Sequence, residues 1–144
     1  MKTKLSIIIA LLCISATPLL SLADDFDGSK PILCTVTEVT ECIIGQGCIA
    51  VNAEEINLPR YLYINVGKKI IQSHKDKKKS RISKIALVND IDSKLILQGA
   101  EQGYEDVRDG YGWTVAIMQD TGQMVMTASG DFVGDVAFGV CTLQ

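Results

Sequence analysis

The cysteines are the residues of this 144-residue chain whose number and spacing indicate their chemistry most directly. Five are present, and Cys13 lies in the apolar N-terminal segment. The remaining four have no Cys-x-x-Cys spacing, and the only histidine is His74, so the pattern disfavours a zinc site. An even number of cysteines in an exported chain predicts a disulfide framework. The four are Cys34, Cys42, Cys48 and Cys141.

The N-terminal segment has the three parts of a secretory signal peptide. Lys2 and Lys4 make a basic start, residues 5–12 are almost wholly apolar, and Ser21-Leu22-Ala23 places small residues at the cleavage positions. We therefore expect cleavage near Ala23 and a periplasmic or secreted product, in a compartment where disulfide bonds persist. Removal of the leader also removes Cys13.

The remaining chain divides into a predicted flexible N-terminal segment, 24–31, and a single domain, 32–144. Two lysines leave with the leader, so 12 basic and 17 acidic residues give a formal charge of −5. This balance favours solubility and disfavours nucleic-acid binding. No further apolar stretch is long enough to predict a transmembrane segment after leader cleavage.

Most of the domain consists of short β-rich runs between turn signals. The predicted turns include Gly45-Gln46-Gly47, the stretch 89–92 and Asp120-Thr121-Gly122, and the longest polar link is Gly99 to Gly112. We predict an all-β fold: an antiparallel meander of about eight short strands forming a closed or flattened barrel. One short helical turn is expected near residues 52–56.

Closure of such a barrel favours one pairing of the cysteines. If the first and last strands pair antiparallel, the start of the first strand lies opposite the end of the last, which brings Cys34 to Cys141. Cys42 and Cys48 then flank the first hairpin. The alternative pairing, Cys34 with Cys48 and Cys42 with Cys141, stays open at this point because strand register is not established.

Residues able to support catalysis are few. His74 lies in a lysine-rich stretch, which is typical of a solvated loop, and no Gly-x-Ser-x-Gly motif is present. Carboxylates occur in predicted loops, where they keep a surface hydrated more often than they bind calcium. We expect no catalytic residue, no metal and no cofactor. The loop carboxylates are Asp90, Asp92, Glu105, Asp106 and Asp109.

Two sets of residues are candidates for binding. Aromatic rings near the mouth of a barrel would line a ligand site, and the candidates are Tyr61, Tyr63, Tyr111 and Trp113, with Tyr104 as a further ring. A basic run could contact an anionic surface, although lysines at a hairpin tip also keep it soluble. The basic candidates are Lys75, Lys77, Lys78, Lys79 and Arg81.

Several short motifs resemble those of small exported bacterial proteins of unknown function with four cysteines. These motifs are Glu41-Cys42, Gly47-Cys48, Asn57-Leu58-Pro59, Leu97-Gln98-Gly99, Gly112-Trp113, Thr121-Gly122-Gln123-Met124 and Phe138-Gly139-Val140-Cys141. The fold is similar to lipocalin or calycin barrels, whose Gly-x-Trp mark resembles Gly110-Tyr111-Gly112-Trp113, here late in the chain. It also resembles disulfide-bridged periplasmic lysozyme inhibitors, with Ser129-Gly130 matching part of their inhibitory loop.

These observations predict a non-enzymatic cell-envelope protein that binds a small apolar ligand or an envelope protein. An inhibitor of a basic enzyme such as lysozyme is the first alternative. A small hydrolase using loop carboxylates is the second. A pocket lined by Trp113 and the tyrosines would favour small-molecule binding, whereas a concave cluster of acids with raised pKa would favour an enzyme.

Overall fold

Alternation of inward apolar and outward polar side chains builds the described part of the chain into β-strands. The computed structural model describes residues 26–73, 80–103 and 106–144. Within these ranges there are nine strands and one 3₁₀ turn, Ala53–Ile56. The strands are β1 Ile32–Ile43, β2 Gly47–Val51, β3 Tyr61–Asn65, β4 Ile70–Ser73, β5 Ile82–Ile91, β6 Lys94–Glu101, β7 Tyr111–Met118, β8 Gln123–Ser129 and β9 Val133–Leu143.

The strands form one antiparallel sheet that closes into a barrel. From β3 to β9 each strand pairs with the next, and β1 pairs with β3 on one edge and with β9 on the other. Eight strands therefore close the barrel. The additional strand, β2, pairs with the C-terminal half of β1, on the edge whose N-terminal half pairs with β3. The prediction of an antiparallel barrel with one short helical turn is confirmed.

Barrel closure brings the cysteines together in two directly opposed pairs. Cys34 lies opposite Cys141 between β1 and β9, with the sulfur atoms 2.05 Å apart. Cys42 lies opposite Cys48 between β1 and β2, with the sulfur atoms 2.02 Å apart. The favoured pairing is the one present in the structure. These bonds are compatible with an oxidising, extracytoplasmic location.

A β-bulge in β1 decides which of its side chains face the interior. The register with β9 shifts between Val36 and Glu38, so Val36 and Val39 are both buried although they are three residues apart. Without the bulge, strict alternation would turn Val39 outward. After it, Glu41 shares the inner face with Val39, which matters for the site described below.

One end of the barrel is sealed by the segment before β1. We call it the closed end; it carries the β3–β4, β5–β6 and β7–β8 turns. The ring of Phe26 is buried there and packs against Gly122. A Cβ atom on Gly122 would lie only 2.6 Å from the Cζ atom of this ring. The Phe26 backbone N–H donates to the carbonyl of Gln119 at 3.1 Å. The segment 24–31, predicted as flexible, therefore contains an anchored residue.

Two links differ from their predicted extents. The predicted turn at residues 89–92 is shorter, because β5 continues to Ile91 and only Asp92 and Ser93 lie between the strands. Both have positive φ, 51° and 56°, as a type I′ hairpin turn requires. The polar stretch from Gly99 to Gly112 is shortened by β6, which reaches Glu101, and by β7, which begins at Tyr111.

Some predictions concern residues outside the described ranges. These are the signal peptide, 1–23, together with His74, Lys75, Lys77, Lys78, Lys79 and Tyr104. Among the residues that the structure does describe, no helix has the length and apolar character needed to cross a membrane.

Candidate functional site

The barrel interior is filled near the closed end and hollow near the opposite end. The fully buried side chains are Ile32, Cys34, Ile64, Leu95, Leu97, Val115, Ile117 and Met124. At the opposite end, which we call the open end, the β6–β7 loop and the β8–β9 turn border a cavity of about 460 Å³. This volume is in the range of small-molecule sites.

The inner wall of the cavity is mainly apolar. Its lining includes the buried side chains of Leu62, Ile71, Trp113 and Ala137, with the partly buried Met126 beside them. These residues come from five different strands, so the inner wall of the pocket belongs to the barrel, whereas links between strands form the rim. A concave apolar wall with a few placed polar groups is typical of a ligand site.

The rim is ordered by a short helical turn. The Asn52 N–H donates to Glu55 Oε2 at 2.6 Å, and the Glu55 N–H donates to the Asn52 carbonyl at 3.0 Å, which secures the start of the 3₁₀ turn. The turn ends at Asn57, whose φ of 56° redirects the chain. Ile56 and Leu58 then line the cavity.

An ion pair joins the two loops on the other side of the rim. Arg108 Nε, in the β6–β7 link, lies 2.8 Å from Asp131 Oδ2, in the β8–β9 turn. Both residues line the cavity. Because the Arg108 side chain is largely exposed, this pair positions the rim more than it stabilises the fold.

Trp113 packs closely against the neighbouring strand β6. Its cross-strand partner is Gly99, where a Cβ atom would stand 2.7 Å from Cε2 of the indole and 2.5 Å from the carbonyl oxygen of Lys84. Only glycine leaves room for the ring in this position. The indole Nε1 of Trp113 is buried and has no hydrogen-bond partner among the described residues.

A charge-balanced cluster lies on the β5 side of the pocket. Arg81 Nε is 3.6 Å from Glu101 Oε2, and the Ser83 hydroxyl donates to Glu101 Oε1. The Arg81 guanidinium also lies 5.5 Å from the centroid of the Tyr111 ring, within range of a cation–π contact. Burial raises the pKa of the Tyr111 hydroxyl. This side of the cavity therefore presents a neutral phenol and a matched ion pair.

A pair of carboxylates lies on the β1–β9 side. Glu41 and Asp135 are directly opposed in the register, and both line the cavity. Burial, and then the charge of Glu41, raises the pKa of Asp135. Asp135 Oδ1 is buried, and neither a hydrogen bond to it nor an ion pair of either carboxylate is present within the described ranges. This wall of the pocket therefore carries acidic charge without a counter-ion among the described residues.

One row of cross-strand partners links the carboxylates to the indole. Asp135 is opposite Ala128, and Ala128 is opposite Trp113. Neighbouring strands are about 4.8 Å apart, so the backbones of Asp135 and Trp113 are separated by roughly 10 Å, with only a methyl side chain between them. The small side chain of Ala128 leaves space between two unpartnered polar groups.

The structure brings together two of the four aromatic residues proposed for ligand binding. Tyr111 and Trp113 line the cavity. Tyr61 and Tyr63 do not, because they alternate with the buried Leu62 and so lie on the outer face of β3. Arg81, proposed for an anionic surface, instead lines the cavity rim.

The loop carboxylates are dispersed. Asp90 accepts a hydrogen bond from Gln119 Nε2 at 3.0 Å, and Asp92 accepts one from Lys94 Nζ at 2.8 Å, both near the closed end. Asp109 lines the cavity at the other end of the barrel. Glu105 lies outside the described ranges. Within those ranges, no group of three or more His, Cys, Asp or Glu residues is placed to share a metal ion.

Sequence reasoning did not identify Glu41 and Asp135 as site residues. The available signal was the alternation of β9, which puts Asp135 on the same face as Cys141. An acidic residue on a cysteine-bearing inner face marks a polar group inside the barrel.

Comparison of the chain with known proteins identifies no relative. No protein-family model, no curated protein and no solved structure matches this chain.

Proposed function

We propose that this chain is an exported, non-enzymatic binding protein that holds a small apolar or amphiphilic molecule in the open half of its barrel. The observation that carries the proposal is the cavity of about 460 Å³, walled by side chains of the barrel strands. An eight-stranded barrel can fill its interior completely with side chains. Here the filling stops at the level of Trp113, which leaves an apolar chamber beneath a polar rim.

The remaining features support the same proposal. Lipocalin-like barrels use this architecture to hold one small ligand. The two disulfide bonds and the sequence of the N-terminal segment support export to the periplasm or beyond it. The lining combines aromatic and aliphatic surface with a few polar groups, the composition expected of a binding site.

The single tryptophan gives a direct test, because Trp113 lines the cavity. The purified, disulfide-intact protein is titrated with 1-octanol at pH 7.5, and tryptophan emission is followed. We expect a saturable change in emission intensity or wavelength. Absence of a saturable change with octanol and with its amine and carboxylate analogues would contradict the proposal.

Two substitutions on β8 localise the binding. Ala128 faces the cavity, and Val125 lies on the outer face of the same strand. Ala128→Phe should abolish octanol binding by filling the chamber, and the smaller Ala128→Leu should weaken it. Val125→Phe, the matched control, should bind as the wild type does. Circular dichroism establishes that each variant is folded.

A further inference from the structure

Some charged groups that line the cavity have a partner of opposite charge, and others do not. The rim cation Arg108 is paired with Asp131, and Arg81 is paired with Glu101. Glu41 and Asp135 are two acids side by side on neighbouring strands, and no cation among the described residues pairs with either of them. The β1–β9 wall of the cavity therefore carries two acids without a counter-ion among the described residues.

This arrangement costs stability in the free protein. Like charges that are directly opposed in a sheet repel each other. Burial adds a second cost, because a carboxylate oxygen without a hydrogen-bond donor has lost its hydration without replacement. A bound cation with several N–H donors would remove both costs at once.

The rest of the pocket determines what kind of cation fits. A small hydrated ion would leave the apolar wall of Leu62, Ile71 and Met126 unused. The small Ala128 connects the carboxylates to the buried indole of Trp113, so a molecule lying across it contacts both. Aromatic rings also attract an ammonium group and the carbon atoms next to it.

We infer that the ligand class of this cavity is an organic amine: an ammonium group bound between Glu41 and Asp135, carrying an apolar body that packs against Trp113. This inference rests on the proposed function, because it names the chemistry of the molecule held in the same cavity. The ammonium donates hydrogen bonds to both carboxylates, and Asp135 Oδ1 gains the donor that it lacks in the described structure.

The test compares three ligands with the same body and different head groups. The disulfide-intact protein is titrated at pH 7.5 with n-octylamine, 1-octanol and n-octanoate, using Trp113 emission and calorimetry. We expect octylamine to bind at least about tenfold more tightly than octanol, and octanoate to bind more weakly than octanol, because only the ammonium forms charge-assisted hydrogen bonds with the acids.

Isosteric variants attribute the preference to the carboxylate pair. Glu41→Gln with Asp135→Asn should abolish the preference for octylamine while octanol still binds, which also shows that the variant is folded. Glu38→Gln is the matched control, since Glu38 lies on the exposed face of β1. It should retain the preference of the wild type.

The outcomes separate this inference from the proposed function. Equal binding of the three compounds would overturn the amine inference and leave the binding function standing. A preference for octylamine that survives the double substitution would also overturn it. If none of the three compounds binds, the proposed function itself fails.

Discussion

Glu41 and Asp135 are direct cross-strand partners on the inner wall of the barrel, one on β1 and one on β9. The β-bulge between Val36 and Glu38 turns Glu41 inward. The two strands that bring these acids together are the same strands that close the barrel through the disulfide bond of Cys34 and Cys141. Closure and the polar site therefore depend on one strand pairing.

The Asp135 carboxylate should make the stability depend on pH. Burial and Glu41 raise its pKa above the usual 3.8, so the native protein binds this proton more tightly than the unfolded chain does. The free energy of unfolding should fall as the pH rises from about 3.8 through the folded pKa. Asp135→Asn should be more stable than wild type at pH 7.5 by roughly 0.2–1 kcal/mol, and the difference should vanish at acid pH. Urea unfolding measures both.

Asp92 provides the comparison of opposite sign. The hydrogen bond and charge of Lys94 lower the pKa of Asp92, so this carboxylate is stabilised in its ionised form. Asp92→Asn should therefore lose stability at neutral pH relative to wild type, and the difference should disappear as the pH falls below 3.8. An Asp135→Asn variant that is not more stable than wild type at pH 7.5 would contradict the electrostatic account of Asp135.

The two disulfide bonds should contribute unequally. The Cys34–Cys141 bond closes a separation of 107 residues, whereas the Cys42–Cys48 bond closes one of 6. In the chain-entropy model, replacing the first pair with alanine costs about 4–5 kcal/mol and replacing the second about 2–3 kcal/mol. Urea denaturation of the two double variants measures these costs. Equal losses would show that loop length does not control the effect.

Phe26 should behave as a core residue of the barrel. Its ring is 5% exposed and covers the closed end. Phe26→Ala should reduce the free energy of unfolding by about 3–5 kcal/mol. Phe132→Ala is the control, because Phe132 is 69% exposed and should change stability by less than about 0.5 kcal/mol. If both substitutions have the same small effect, the segment before β1 does not seal the barrel.

Gly99 should control the position of Trp113. A methyl group at this position would overlap the indole and approach the Lys84 carbonyl. Gly99→Ala should cost about 1–3 kcal/mol and shift the tryptophan emission spectrum, because the ring must move toward the cavity. Gly112→Ala is the control, since a Cβ there meets nothing within 4 Å. An unchanged spectrum in Gly99→Ala would contradict the packing described.

Prediction from sequence succeeded where a period of two is strong. The short β-rich runs between turn signals predicted an antiparallel barrel, which the structure has. The same period of two shows why Tyr61 and Tyr63 are not in the cavity, because they alternate with the buried Leu62 and Ile64. Prediction was weaker where a local signal was ambiguous. The polar residues from Asn89 to Asp92 predict a turn, but cross-strand pairing with β6 extends β5 to Ile91.

The inner face of β9 shows a limit of sequence pattern. Phe138 and Val140 form the more apolar face of this strand, yet they are 44% and 53% exposed. The opposite face is inside, where Ala137 and Cys141 are buried. At Gly139 on that face, a Cβ atom would lie 2.5 Å from the Thr35 carbonyl oxygen. Close approach of β1 and β9 admits only small side chains at that point, and no single-strand pattern contains this information.

The fold class and the favoured pairing of Cys34 with Cys141 follow from the amino-acid sequence, because alternation and turn residues act locally and barrel closure relates the chain ends. The sequence also identified Trp113 and Tyr111 as candidates for binding. The hollow end of the barrel and the pairing of Glu41 with Asp135 there depend on how distant strands pack together. The bulge in β1 changes which of its side chains face inward. The pairing of β1 with β9, which are far apart in the sequence, then places Glu41 beside Asp135.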